Sequence, residues 1–293
     1  MKRPIITVLI TLAACQRADS QDAPAHAAFK MGSTVAELRV AATARLPVNP
    51  KRKPVEEYCS AYAVTHPKTP GGRLAARNGW VVTSETKLGN YDAVTFVGAL
   101  EGATSATCFH LNGNLAIFDG PRLKAIAFWR HSTRIPLTQG DEGIEDSLGS
   151  AQKVDGRRLR LYAGLPGPPL ADVILSDRVS IEPIANEDPV CRGAAAVPNV
   201  FGEDIRQARK KLRAYGWRPV RPPRDDPMTG GEDLLRQGVI EVKACSGTGY
   251  AFCAFDYEHQ KGFSLSVGTM GEEYGVTDYS VGCGRSGRHR SGL

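Results

Sequence analysis

The sequence predicts an α+β protein: a β-rich N-terminal body over 54–190, built as a sandwich or a partly closed barrel, followed by a small α+β domain over 191–283. Three observations carry this reading. Between 54 and 190 short apolar runs alternate with turn signals and no long helical period occurs; after 191 one amphipathic helix precedes a series of alternating strands; and 293 residues suit about two domains. At 42% hydrophobic and 23% charged residues the chain is too apolar for a disordered polymer, and it has no heptad repeat.

Met1-Lys2-Arg3 is a cationic start, and Pro4 to Ala14 is an uncharged, mostly apolar run. Eleven residues make about 16 Å of helix, too little for a bilayer but right for the hydrophobic region of a secretory signal. Leu12-Ala13-Ala14-Cys15 resembles the bacterial lipobox. That resemblance implies loss of residues 1–14, lipid attachment at Cys15 and a membrane held through the anchor. Gln16, rather than Asp, follows Cys15, which implies the periplasmic face of the outer membrane.

Residues 15–53 read as a tether with a short helix. Residues 16–30 are small, polar and aperiodic. Val35, Leu38 and Ala42 then fall near helical spacing, with Thr34 as N-cap and Glu37 as its capping-box partner, so a helix is expected over 34–45, stopped by Pro47 and Pro50. Asn49 to Pro54 forms a hinge with a positive cluster.

In the β-rich body a short helix is expected over 55–63. Strands are expected at Trp80–Thr83, Val94–Val97, Cys108–Leu111, Leu115–Phe118 and Leu123–Trp129. Asn112-Gly113 and Asp119-Gly120 favour tight hairpin turns, so the last three read as a meander. Leu159 and Leu161 alternate with Arg158 and Arg160, and Val179 and Ile181 with Arg178, Ser180 and Glu182, the pattern of half-buried strands.

In the C-terminal domain Ile205, Ala208, Leu212 and Tyr215 mark one face of a helix over 204–215. Asp204 and Gln207 form a capping box and Gly216 the stop. Extended segments are expected at 217–220, 239–244, 250–255 and 263–267. Residues 284–293, with Arg285, Arg288 and Arg290, read as a basic disordered tail. Val197-Pro198-Asn199-Val200-Phe201-Gly202, followed by the helix with Ala208, Leu212 and Gly216, resembles the opening of a PASTA domain. The resemblance covers about 25 residues and implies a strand–helix–sheet fold of a kind associated with cell-wall recognition. The second half departs from it at Cys245-Ser-Gly-Thr-Gly-Tyr-Ala-Phe-Cys253.

Apart from Cys15, six cysteines remain, an even number: Cys59, Cys108, Cys191, Cys245, Cys253 and Cys283. In an exported chain these are disulfide candidates, and Cys245 with Cys253 suits neighbouring strands of a hairpin; the other pairings stay open. No close Cys/His pairs of metal-ligand spacing occur, so no metal and no cofactor are expected.

Arg206, Arg209, Lys210 and Arg213 recur at helical spacing away from the apolar stripe, extended by Arg218, Arg221 and Arg224. They are the candidate patch for a cell-wall or anionic glycan ligand. Nucleic acid is not expected: removing Lys2 and Arg3 with the leader takes the net charge from +6 to +4, and three of those charges are in the tail. The chain is therefore expected to bind or scaffold in the bacterial cell envelope rather than catalyse. Two alternatives stand beside this: an inhibitor or assembly partner of another envelope protein, or a serine hydrolase using His66, Asp92 and Ser105. Gly102-Ala-Thr-Ser105 resembles the serine loop of chymotrypsin-like proteases but lacks that family's Gly-x-Ser-Gly core.

Overall fold

The computed structural model describes residues 29–49, 53–104, 106–130, 147–222, 230–246 and 249–284. The expected leader, the Cys15 anchor, residues 16–28 and 50–52 of the tether, Ser105, Arg224 and the tail from 285 lie outside the described residues.

Two strands come first, β1 (Met31–Ser33) and β2 (Leu38–Ala42). After a 3-10 turn at Glu57–Tyr62 come helix α1 (Pro70–Arg77) and strands β3 (Val81–Leu88), β4 (Tyr91–Val97), β5 (Ala99–Gly102), β6 (Cys108–Leu111), β7 (Asn114–Asp119) and β8 (Arg122–Trp129). Strands β9 (Leu148–Lys153), β10 (Arg158–Ala163), β11 (Pro169–Leu175) and β12 (Val179–Glu182) complete the body.

Ten of these strands form two sheets, in the orders β2-β8-β7-β4-β3 and β1-β12-β11-β10-β9, while β5 and β6 pair apart. The alternation of β7 explains the layering: Leu115 and Ile117 enter the core between the sheets, and Ala116 and Phe118 face the opposite side with Trp80 and Ala75 of α1. From the second sheet Leu159, Leu161, Val173 and Ile181 close the same inter-sheet core. At one edge Thr83 Oγ1 donates to the Gly149 carbonyl at 2.7 Å and Ala151 N to Ser84 Oγ at 3.3 Å. Side-chain bonds rather than a ladder join the sheets there, so among the described residues the body is a sandwich and no barrel closes.

Several expectations need correction. The segment expected to be a helix, 34–45, contains β2, paired antiparallel with β8 from Leu38–Trp129 to Ala42–Ala125, so part of the supposed tether belongs to the sandwich. Period two wins here because Leu38 and Val40 reach the inter-sheet core while Arg39 and Ala41 stay exposed. The meander holds only for β7 and β8. Strand β6 pairs with β5, and Asn112-Gly113 is a corner between sheets, with Asn112 in the left-handed region at φ 54°. Strand β10 is buried on both faces, since Arg158 and Arg160 are 9% and 4% exposed. Helix α1 shows no sequence signal beyond Thr69-Pro70, because Gly71 and Gly72 interrupt its pattern. Gly71 is required by contact: a Cβ there would lie 2.4 Å from the Phe118 ring.

The rest of the chain forms β13 (Glu187–Val190), β14 (Ala195–Pro198), α2 (Ile205–Ala214), β15 (Trp217–Pro219), α3 (Glu232–Arg236), β16 (Val242–Cys245), β17 (Cys253–His259), β18 (Ser264–Met270) and β19 (Gly275–Gly282). Strands β13 and β14 pair as a hairpin, so the boundary expected at 190/191 falls inside one element. The sheet runs β15-β17-β18-β19, with β16 also on β17. Ile205, Ala208 and Leu212 of α2 join Trp217, Phe255, Tyr257 and Val267 in one core. Asp204 caps α2 by accepting from Arg206 N at 2.7 Å, but the expected capping box is absent: Gln207 Oε1 instead accepts from Lys210. Gly216, at φ 87°, ends the helix as expected.

All six candidate cysteines pair: Cys59–Cys108, Cys191–Cys283 and Cys245–Cys253, the last across directly opposed residues of β16 and β17. Three bridges are the chemistry of an oxidising, non-cytoplasmic compartment. Among the described residues no helix is long and apolar enough to cross a membrane.

Candidate functional site

The basic face of α2 divides when its partners are traced. Arg206 forms an ion pair with Asp204 and donates to Gln237 Oε1 at 2.9 Å, and Lys211 is paired with Glu203. Arg209 Nε lies 2.8 Å from Oε1 of Glu241, a fully buried carboxylate that also accepts from Tyr257 Oη at 3.0 Å. Arg209 thus fastens the helix to its sheet, a structural role that removes it from the expected patch. Lys210 is exposed and donates to Gln207.

Arg213 and Arg218 differ: both are exposed, and neither forms an ion pair with a described residue. They line a groove of about 830 Å³ at the C-terminal end of α2, together with Glu187, Tyr215, Trp217, Pro219 and Gln260. The Gly216 turn brings these two arginines to one place by ending the helix between them. Glu187 comes from β13. Its Oε2 accepts from Tyr215 Oη at 2.8 Å, and this hydrogen bond raises the phenol above its ordinary pKa, so it stays a donor to the carboxylate. With Glu187 so engaged, the two guanidinium groups supply planar donor forks for carboxylate, phosphate or sulfate, and Gln260 supplies an amide. The sequence pointed to Arg213 and Arg218. It gave no sign of Glu187 or Gln260, which only the packing of the hairpin and the β17–β18 turn brings to the helix end.

A second polar cluster lies where the sandwich meets the α+β unit. Arg160 of β10 binds Asp172 at 3.0 Å and Asp188 at 2.6 Å, and Arg158 lies 2.8 Å from Asp188. Tyr279 of β19 donates to Asp188, and its ring stacks on Phe201 at 5.3 Å; the Arg160 guanidinium lies 5.0 Å from the centre of the Phe201 ring. Burial pushes the Asp188 carboxyl up, but the Arg160 and Tyr279 hydrogen bonds outweigh it and hold the group below the ordinary carboxylate range. Burial and then Asp188 raise the Tyr279 phenol. Each charge has a partner, so this cluster fastens the two units rather than receiving a ligand.

Of the residues considered for hydrolysis, His66 is exposed ahead of α1 and Asp92 is held by Lys87 at 2.5 Å across β3 and β4. Among the described residues no group of three or more His, Cys, Asp or Glu gathers as a metal ion requires. Comparison with protein-family models, with curated proteins and with solved structures returns no match to this chain.

Proposed function

We propose that this chain is an exported, lipid-anchored protein of the bacterial cell envelope that binds or scaffolds, and that the groove at the end of α2 holds an anionic glycan or cell-wall polymer. The observation that carries the reading is a contrast among the basic residues: Arg206, Arg209 and Lys211 are spent on carboxylates of the same chain, whereas Arg213 and Arg218 share a groove and form no ion pair with a described residue, the groove's Glu187 being bonded to Tyr215. The three disulfides support an exported address. The Cys15 anchor would keep the groove close to envelope polymers.

Co-sedimentation with purified cell-wall sacculi tests this. The wild type should pellet with the sacculi, and Arg213→Ala/Arg218→Ala should bind at least about tenfold more weakly, as expected for loss of two charge-assisted contacts. Arg206→Ala, which removes a charge already paired within the chain, serves as the control and should bind like the wild type. Equal binding by the double variant and the wild type would remove the groove from the account.

A further inference from the structure

The three disulfides differ in what surrounds them. Cys59 and Cys108 are 0% and 2% exposed and sit in an apolar cluster with Val97 and Leu100. Cys245 and Cys253 are opposed residues of two paired strands, and Cys253 is buried. If that bridge opened, the sheet would keep its thiols adjacent and ready to close again. Cys283 is exposed, directly after the end of β19, and Cys191 is partly exposed at the tip of the β13–β14 hairpin. The tip is strained: Cys191 and Arg192 both occupy the left-handed region, at φ 53° and 61°, ahead of Gly193 at 78°. The Cys191–Cys283 bridge spans 92 residues and is the covalent link between the hairpin and the last strand.

We infer that Cys191–Cys283 is a redox-sensitive strap, the first of the three bridges an envelope dithiol opens, and that opening it loosens the hairpin that carries Glu187 into the groove. The consequence for binding rests on the function proposed above; the order of opening does not. In the step itself a dithiol's thiolate attacks the sulfur of the exposed residue Cys283, forming a mixed disulfide and expelling the Cys191 thiolate. The reductant's second thiol then releases Cys283. Two electrons pass from the dithiol, which becomes a disulfide, and the two cysteines end as thiols after taking up protons. The freed hairpin can then relax its left-handed tip, with Glu187, the first residue of β13, four residues before Cys191.

The test is graded reduction of the mature protein with dithiothreitol, with differential alkylation and mass spectrometry to place each thiol and hydrogen exchange to follow the backbone. Cys191 and Cys283 should become alkylated at a dithiothreitol concentration at least tenfold below that needed for the other four cysteines, and amides over 187–198 should exchange faster at that point. Sacculi binding should change with them, since the hairpin's contribution to the groove is the Glu187 carboxylate that holds Tyr215, and Cys191→Ser/Cys283→Ser should show the same exchange and binding with no further response to low dithiothreitol. Bridges that open together, earlier opening of Cys245–Cys253, or unchanged exchange over 187–198 after selective opening would overturn the strap. Oxidised wild type that never pellets with sacculi would instead overturn the binding reading, while the order of opening and the exchange would still decide the strap.

Discussion

Asp188 shows how far one side chain extends through this molecule. It accepts from Arg160 of the sandwich and from Tyr279 of the last strand, and its carboxyl is held below the ordinary range. A carboxyl whose folded pKa is depressed adds stability that is present above the unfolded value, about 4, and lost as pH falls through the folded one. Wild-type stability should therefore decline below about pH 4, and Asp188→Asn should flatten that part of the profile. At neutral pH the same variant should cost about 3 kcal/mol, because it leaves buried guanidinium groups short of a counter-charge. Urea titrations from pH 2.5 to 7 measure both effects. A variant profile parallel to that of the wild type would show that Asp188 is not the group responsible.

The corner at Asn112-Gly113 turns the chain from β6 into β7, between two sheets. The dipeptide has the composition of a hairpin turn, and Asn112 does adopt the positive φ such turns need. Its use is nevertheless tertiary. Gly113 N donates to Ser147 Oγ at 2.7 Å, and a Cβ on Gly113 would fall 1.5 Å from the Leu148 carbonyl oxygen. The turn signal fixed the backbone angle, while the close approach of β9, remote in sequence, decided which strands pair. Gly113→Ala should lower stability by at least about 2 kcal/mol in urea unfolding, as backbone must move away from backbone. A loss below about 0.5 kcal/mol would mean that the two segments separate easily. Helix α2 lay open to sequence reasoning for the opposite reason: its apolar spacing, Asp204 cap and Gly216 stop are all local. The segment at 34–45 misled because three apolar residues matched a helical period by coincidence while β8 offered a better partner.

For the molecule as a whole, sandwich and α+β unit meet through charge. Arg158 and Arg160 read as the solvent side of a half-buried strand, but they face Asp172, Asp188 and the aromatic pair Phe201 and Tyr279. Alternation told which side chains share a face; only the docked second unit makes the polar face an interior. Wild-type thermal unfolding should be one transition, and Arg160→Ala should split it in two or broaden it as the units uncouple. Unchanged cooperativity in that variant would indicate another source of coupling. The candidate site was half legible for the same reason. Its arginines stand on a helix whose period is visible, whereas Glu187 and Gln260 reach it through a hairpin and a turn. If Arg213 and Arg218 form the anion-binding surface, the salt dependence of binding to heparin, a defined polyanion, should report it. The wild type should weaken steeply with salt, and Arg213→Ala/Arg218→Ala should bind more weakly with a slope smaller by roughly two charges, while Arg206→Ala keeps the wild-type slope. Indistinguishable slopes for the wild type and the double variant would contradict it.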